Sequence, residues 1–176
     1  VALLYLDVNN FKMVNDTLGH DAGDTLLKIV ADRLLGCVRE DDTVARIGGD
    51  EFTVLLTEVK GRPGTKRAAE KIIDVFTKPI RLNDQELIIS PSIGITMCTE
   101  DGVDSTLLMK NADLAMYKAK ALGRNNFQFY TEDWDSEISK RVQLEAELRQ
   151  ALSQKQFELY FQPIIDLSSL RCVSVE

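Results

Sequence analysis

Val44-Ala45-Arg46-Ile47-Gly48-Gly49-Asp50-Glu51-Phe52-Thr53-Val54-Leu55-Leu56 is the stretch on which the reading of this chain turns. Apolar runs flank a Gly-Gly pair, and two adjacent carboxylates follow the glycines directly. Glycines allow a tight turn with φ > 0, so the stretch predicts a β-hairpin with Asp50 and Glu51 displayed at its tip. Acids in that place do little for a sheet. They are good ligands for a hard cation such as Mg²⁺, which takes a few carboxylate oxygens and completes its shell with phosphate oxygens. A solvated acidic turn is the other reading, and these residues alone leave both open.

Working outward, Val1-Ala2-Leu3-Leu4-Tyr5-Leu6 is an apolar run consistent with a central strand buried on both faces, ended by Asp7. Phe11, Val14 and Leu18 keep helical spacing, and Gly19 to Asp24 reads as a break and restart. An amphipathic helix is expected over residues 26–35, with Leu26, Leu27, Val30, Leu34 and Leu35 inward. After the hairpin, residues 60–64 (Lys-Gly-Arg-Pro-Gly) read as a loop, and residues 65–78 as a helix with Ala69, Ile72, Ile73 and Phe76 inward. Asn83-Asp84 marks a second hairpin, and Ser90 to Ile95 continues as a strand interrupted at Pro91, where a bulge or an edge position is expected. Residues 104–122 form a third long helix, with Leu107, Leu108, Ala112, Ala115 and Met116 inward, stopped by Gly123; Phe127 to Tyr130 is a closing strand. The expected order, β-α-α-β-β-α-β-β-α-β, argues an α+β fold with a mostly antiparallel sheet flanked by helices.

At 176 residues and 44% apolar content the chain supports one domain with an appendage. A formal net charge of −7 argues against a broad surface for polymeric nucleic acid. Cys37, Cys98 and Cys172 are scattered, with no metal or disulfide spacing, and read as reduced apolar fillers. No apolar run approaches the roughly 20 residues that cross a bilayer, and no signal peptide is visible, so a cytoplasmic segment without membrane contact is expected. The chain opens inside an apolar run without Met and stops at Glu176 without punctuation, so both ends are expected to be cut, with any sensor or membrane anchor lying outside them.

Asp7, at the carboxyl end of a central strand, is well placed to meet Asp50 and Glu51. Three packed acids repel one another unless a cation sits among them or one is protonated, and metal ions suit phosphoryl chemistry because they neutralise charge on the attacked phosphate. Asp7 as a helix cap is the alternative, and it excludes nothing. The backbone N–H groups of Asn10 to Lys12 would begin a helix beside the acids and offer a phosphate site, to which Lys12 adds a charge.

Three motifs in order now carry a resemblance. Asp7-x-x-x-Phe11-Lys12-x-x-Asn15-Asp16-x-x-Gly19-His20-x-x-Gly23-Asp24, the Gly48–Phe52 pentapeptide, and Asn111-Ala112-Asp113-x-Ala115-Met116-Tyr117-x-Ala119-Lys120-x-x-Gly123-Arg124-Asn125 resemble the GGDEF-family diguanylate cyclases over about residues 1–130. The resemblance implies a nucleotidyl-cyclase-like, palm-like fold and the condensation of two GTP into cyclic di-GMP and two pyrophosphates, in a homodimer, with Mg²⁺ (or Mn²⁺). It implies that Asp7, Asp50 and the backbone carbonyl of Val8 ligate the metal, that Glu51 supports it, and that Asp50, Glu51 and Lys12 are catalytic. Asn15 and Asp24 would read guanine, with Phe11 beside them, and Lys12, Lys120 and Arg124 would hold phosphates. Lys120 and Arg124 are expected at i, i+4 on one helix face. A turn and an N-cap are the structural alternatives for Asn15 and Asp24. His20 is not expected to act as a base; a loop-packing role fits better. Arg39-x-x-Asp42, with five residues between it and Gly48, occupies the place of the family's inhibitory site for cyclic di-GMP; an ordinary charged turn is the alternative.

Residues 132–155 read as a polar linker helix with a thin stripe of Ile138, Val142, Leu144, Leu148 and Leu152. Residues 156–176 begin a new strand at Phe157 and resemble the start of an EAL-type cyclic di-GMP phosphodiesterase domain, in which Gln162 and Glu176 would face substrate and metal. Without the rest of that domain, no phosphodiesterase activity is expected of this segment. A GGDEF-type domain that binds GTP or cyclic di-GMP to regulate an adjacent EAL domain is therefore the rival to a working cyclase.

Overall fold

β1 (Ala2–Val8) is the apolar run that opens the chain, and it lies third in a five-stranded sheet of order β2-β3-β1-β6-β7. Its partners are β3 (Glu51–Leu56) and β6 (Pro91–Met97), both antiparallel; β2 (Thr43–Gly48) pairs antiparallel with β3, and β7 (Asn126–Phe129) runs parallel to β6. The computed structural model describes residues 1–82, 85–134, 144 and 147–176, in two units, Val1–Trp134 and Asp135–Glu176.

Alternation along β1 sorts the sheet into two unlike faces. Ala2, Leu4, Leu6 and Val8 join the main core with Phe52, Val54, Leu56, Ile93 and Ile95 from the neighbouring strands. That core is covered by α2 (His20–Leu35) and α3 (Gly61–Phe76) through Leu26, Val30, Leu34, Ala69, Ile72 and Phe76. Leu3 and Tyr5 face the other way, against Ala112, Met116 and Met109 of α4 (Ser105–Ala121). Here α4 lies directly on the backbone of β6. A Cβ on Gly94 would sit 1.9 Å from the Ala112 carbonyl oxygen and 2.2 Å from the Met116 nitrogen, so only glycine admits the helix at this distance.

Several boundaries differ from expectation for local reasons. α1 (Phe11–Leu18) is followed by a single break at Gly19 (φ 86°), and α2 resumes at once with His20, six residues earlier than the apolar pattern indicated. α3 begins at Gly61, because Pro63 falls in its first turn, where a missing N–H costs nothing. α4 is capped as expected: the Asp104 carboxylate accepts from the Leu107 N–H at 2.9 Å. Leu35 and Leu107, expected inward, are exposed. Three strands, not two, lie between α3 and α4: β4 (Ile80–Leu82) and β5 (Gln85–Leu87) make a small separate ladder, and β6 restarts at Pro91. Pro91 stands at the first position of a central strand, neither at an edge nor in a bulge. The expected turn at Asn83-Asp84 lies outside the described residues.

In the second unit, residues 147–153 are helical, and the Ile138 and Val142 part of the expected stripe lies outside the described residues. The strand expected from Phe157 starts instead at Pro163: β8 (Pro163–Asp166) pairs with β9 (Arg171–Val175) as a hairpin, so it has a partner within this chain. Gln162 and Glu176 close that hairpin through reciprocal backbone hydrogen bonds of 2.9 and 3.0 Å. Among the cysteines, Cys37 is buried in the core as expected, but Cys172 is exposed. Among the described residues no helix is long and apolar enough to cross a membrane.

Candidate active site

The acid-tipped hairpin forms as the sequence predicts, but the two glycines do different work. Gly48 is still in β2, opposite Glu51, and only Gly49 takes positive φ (51°). The register slips between Arg46 and Gly48, and Arg46 Nε donates to the Gly49 carbonyl at 3.0 Å, bracing the turn. The Val8 N–H donates to the Asp50 carbonyl at 3.1 Å, which docks the turn on the end of β1. In an extended strand the carbonyl of a residue points to the same side as its N–H, so Val8 turns its own carbonyl towards the hairpin tip.

Register then brings the acids together. Asp7 lies directly opposite Glu51 in the β1–β3 ladder, with Asp50 one residue away in the turn. Lys120, from the last turn of α4, reaches down with Nζ 2.6 Å from Asp7 Oδ2. Asp7, Val8, Asp50, Lys120 and Arg124 share a cavity of about 490 Å³ with the start of α1, including Asn10, Phe11 and Lys12. Asn10 takes left-handed φ (65°) to start that helix, and its side chain gives the helix no cap. Asp7 does not cap it either, since it lies within β1. The first N–H groups of α1 therefore border the cavity together with Lys12.

Charge is concentrated here. Burial pushes the Asp50 carboxyl above the ordinary aspartate value, with Asp7 and Glu51 adding to the shift against its own backbone N–H and Lys120. Asp113, seven residues before Lys120 on α4, is raised by burial and by Asp7, with Lys120 opposing. Tyr5 donates its hydroxyl to Glu51 Oε2 at 3.0 Å, and its phenol is pushed up to about 12 by burial and by that carboxylate. Among the described residues no three acidic, histidine or cysteine side chains already converge as a metal cage. Mg²⁺ binds through one or two carboxylates and takes its remaining oxygens from phosphates and water. The donor set of Asp7, Asp50 and the Val8 carbonyl fits such an ion.

The other expected residues fall in different places. Lys120 and Arg124 both border the cavity but do not share a helix face: α4 ends at Ala121, and Arg124 takes φ 61° in the following turn, where it donates to Asn10 Oδ1 at 3.0 Å. Asp24 is not a helix cap but lies inside α2. Asn15 packs against α2 at Gly23, where a Cβ would lie 1.8 Å from Asn15 Oδ1 and 3.3 Å from Phe11 Cζ. The bare backbone of Gly23 thus lets Phe11, Asn15 and the step to Asp24 meet. Asp24 also borders an apolar cleft of about 430 Å³ with Leu27, Val44 and Phe52. His20 is exposed at the first position of α2, so it packs no loop. Arg39 and Asp42 line a separate groove of about 720 Å³ together with Lys60, Arg67 and Lys71. Asp42 also braces its own turn, accepting from the Arg39 N–H and the Thr57 N–H, both at 3.0 Å.

Sequence reasoning left Tyr5, Asn9 and Asp113 without roles. Tyr5 carried a signal, since it stands two residues before Asp7 and therefore on the same face. Asp113 carried one too, two helical turns before Lys120. Asn9 carried none: its amide, buried between Ser90 and Ser92, anchors the β1–α1 loop by hydrogen bonds of 2.8 and 3.1 Å to segments more than 80 residues away.

A five-stranded sheet flanked by helices, with two carboxylates, a helix start and basic side chains around one cavity, defines a class of α+β domain. The comparisons name it: residues 1–126 match the family described as "Diguanylate cyclase, GGDEF domain", and the chain belongs to that family. It is 40% identical over 168 residues to the cyclic di-GMP phosphodiesterase NbdA of Pseudomonas aeruginosa, covering 96% of this chain and 21% of that protein. It is 43% identical over 127 residues to the diguanylate cyclase TpbB of the same species, covering 72% of this chain and 29% of TpbB. A solved structure of a delta-N mutant of TpbB comprising only its GGDEF domain superposes with a TM-score of 0.76 at 40% identity, covering 78% of this chain and 81% of that one. The chain thus spans between a fifth and a third of the length of these two relatives.

Proposed function

We propose that residues 1–131 are a diguanylate cyclase that condenses two GTP into cyclic di-GMP, releasing two pyrophosphates. The observation that carries the proposal is the gathering of Asp7, Asp50, Lys12, Lys120 and Arg124 around one cavity at the end of β1. In each of two steps a 3′-oxygen forms a bond to the α-phosphorus of the other GTP. The bond from that phosphorus to pyrophosphate breaks, and the 3′-hydroxyl proton leaves. Bound Mg²⁺ or Mn²⁺ would neutralise phosphate charge and favour the ionised 3′-oxygen. Asp7, Asp50 and the Val8 carbonyl would hold it, with Glu51 in support. Lys12 and the first N–H groups of α1 would take the terminal phosphates; Lys120 and Arg124 would exchange Asp7 and Asn10 for phosphate oxygens. Asp50 would also help to accept the proton. Asn15 and Asp24 would read the guanine edge, with Phe11 beside it. One such cavity holds one GTP, so turnover needs a second copy facing it.

Arg39 and Asp42, in a groove with three further cationic side chains, would bind cyclic di-GMP as a feedback inhibitor, Arg39 forking onto a phosphate. The likeness to a phosphodiesterase-named relative over nearly the whole chain favours a second reading. In it, the domain binds GTP or cyclic di-GMP and regulates an EAL domain that begins at about residue 156, after a linker helix over residues 132–155.

The test is incubation with GTP and Mg²⁺ under enforced dimerisation, by fusion to a constitutive dimer. Cyclic di-GMP formed by the native chain and reduced about 10³-fold or more in Asp50→Ala supports the cyclase. GTP binding without product in the enforced dimer leaves only the regulatory reading.

A further inference from the structure

Glu51 stands beside Asp7 and Asp50, and nothing in a crowd of like charges fixes where its carboxylate points. Lys120, the α4 cation that borders the cavity, is engaged by Asp7. The hydrogen bond to Glu51 comes instead from a neutral donor. In the β1–β3 ladder Tyr5 is opposite Thr53 and Asp7 opposite Glu51, which makes Tyr5 and Glu51 diagonal neighbours on the α4 face. Such pairs are within reach of long and aromatic side chains. Tyr5 is 8% exposed and packs against Ala112 and Met116, with Leu3 and Met109 around it. Its position is therefore set by the packing of α4 on the sheet, and the hydroxyl is delivered to one spot, 3.0 Å from Glu51 Oε2.

We propose that Tyr5 is a positioning residue that fixes the Glu51 carboxylate by occupying Oε2, which leaves Oε1 as the oxygen available to a divalent cation. A phenol does this without cancelling the negative charge that the cation needs, which an ammonium in the same place would do. The proposal rests on the metal-dependent reading above. It also ties the seat of α4 to the metal site, because a helix that lifts from the sheet releases the ring and with it Glu51.

Tyr5→Phe removes only the hydroxyl and keeps the ring in its packing, which a thermal melt verifies. Mn²⁺ binding is then titrated by the electron paramagnetic resonance of free Mn²⁺, with a GTP analogue carrying a methylene between the α- and β-phosphorus. Tyr5→Phe is expected to weaken Mn²⁺ binding about 10-fold, the scale on which groups behind a metal ligand act, and to leave analogue binding without metal unchanged. On a Glu51→Gln background the same substitution is expected to change Mn²⁺ affinity less than about twofold, because the group it orients has been altered. Equal affinity in native and Tyr5→Phe chains overturns the proposal while the metal site stands. An undiminished effect in Glu51→Gln overturns the route through Glu51. A native chain that binds no Mn²⁺ overturns the metal site, and this proposal with it.

Discussion

The two faces of the central sheet are built on opposite principles. On the α2–α3 side every inward position of β1 is apolar, and the core is thick and closed. On the α4 side the corresponding row reads Leu3, Tyr5, Asp7, and neighbouring strands add Glu51, Ser92 and Thr96. There the helix is held less by side-chain volume than by its approach to Gly94, with Thr96 Oγ1 donating to the Leu108 carbonyl at 3.3 Å. Stability resides chiefly on one face, which leaves the other free to gather groups that repel one another. The acids sit where the sheet can hold them without having to be stabilised by them.

The sharpest way to break this division is to thicken the thin face. Gly94→Ala puts a Cβ within 2 Å of a helix carbonyl, and backbone cannot rotate out of the way as a side chain can. We expect a loss of about 4 kcal/mol or more in urea denaturation, and loss of GTP binding in whatever remains folded, because Lys120 moves with α4. Leu4→Ala tests the other face. Leu4 is fully buried, and its truncation is expected to cost about 3 kcal/mol while leaving the KM for GTP of the enforced dimer unchanged. If Leu4→Ala shifts KM as far as Gly94→Ala does, the two faces are not energetically separate and the division fails.

How far the sequence revealed this follows the same line. Period-2 and period-3.6 patterns are strong where apolar side chains do the packing, so β1, β3, α2 and α3 were legible, as was the hairpin with its acids. The start of α2 is hidden in the sequence because residues 20–25 are polar or small: its buried positions there are Ala22 and Gly23, and a Gly-His-Asp-Ala-Gly-Asp string offers no apolar stripe. The placing of Arg124 beyond α4 was missed because Gly123 stops a helix without saying where the next side chain points. Asp7, Asp50 and Lys120 could be named from motifs, but their meeting depends on strand register and on the reach of α4. Asn9 was silent because its partners, Ser90 and Ser92, are joined to it only by the fold.

The smallest effect sharpens the comparison from the chemical side. Burial and neighbouring acids raise Asp50, so its ionised form is less favourable folded than unfolded. For a carboxyl raised in the fold, the favourable contribution is complete below the unfolded value and is lost as pH rises through the folded one. At pH 7 the ionised group therefore weighs against the fold. Asn keeps a side-chain oxygen for the hydrogen bond from the residue's own N–H and removes the charge. In the presence of a chelator, Asp50→Asn is expected to melt about 1–3 °C higher than the native chain at pH 7, a gain kept small because solvent screens this half-buried group. The difference should close as the pH falls below the ordinary aspartate range, where the native carboxyl is protonated in both states. A gain that persists there would trace to packing and not to charge, and no gain at neutral pH would mean that Lys120 already balances the cluster. A variant that melts higher yet makes no product would place the destabilising charge in the groups that carry the chemistry, on the face of the sheet that the main core leaves free.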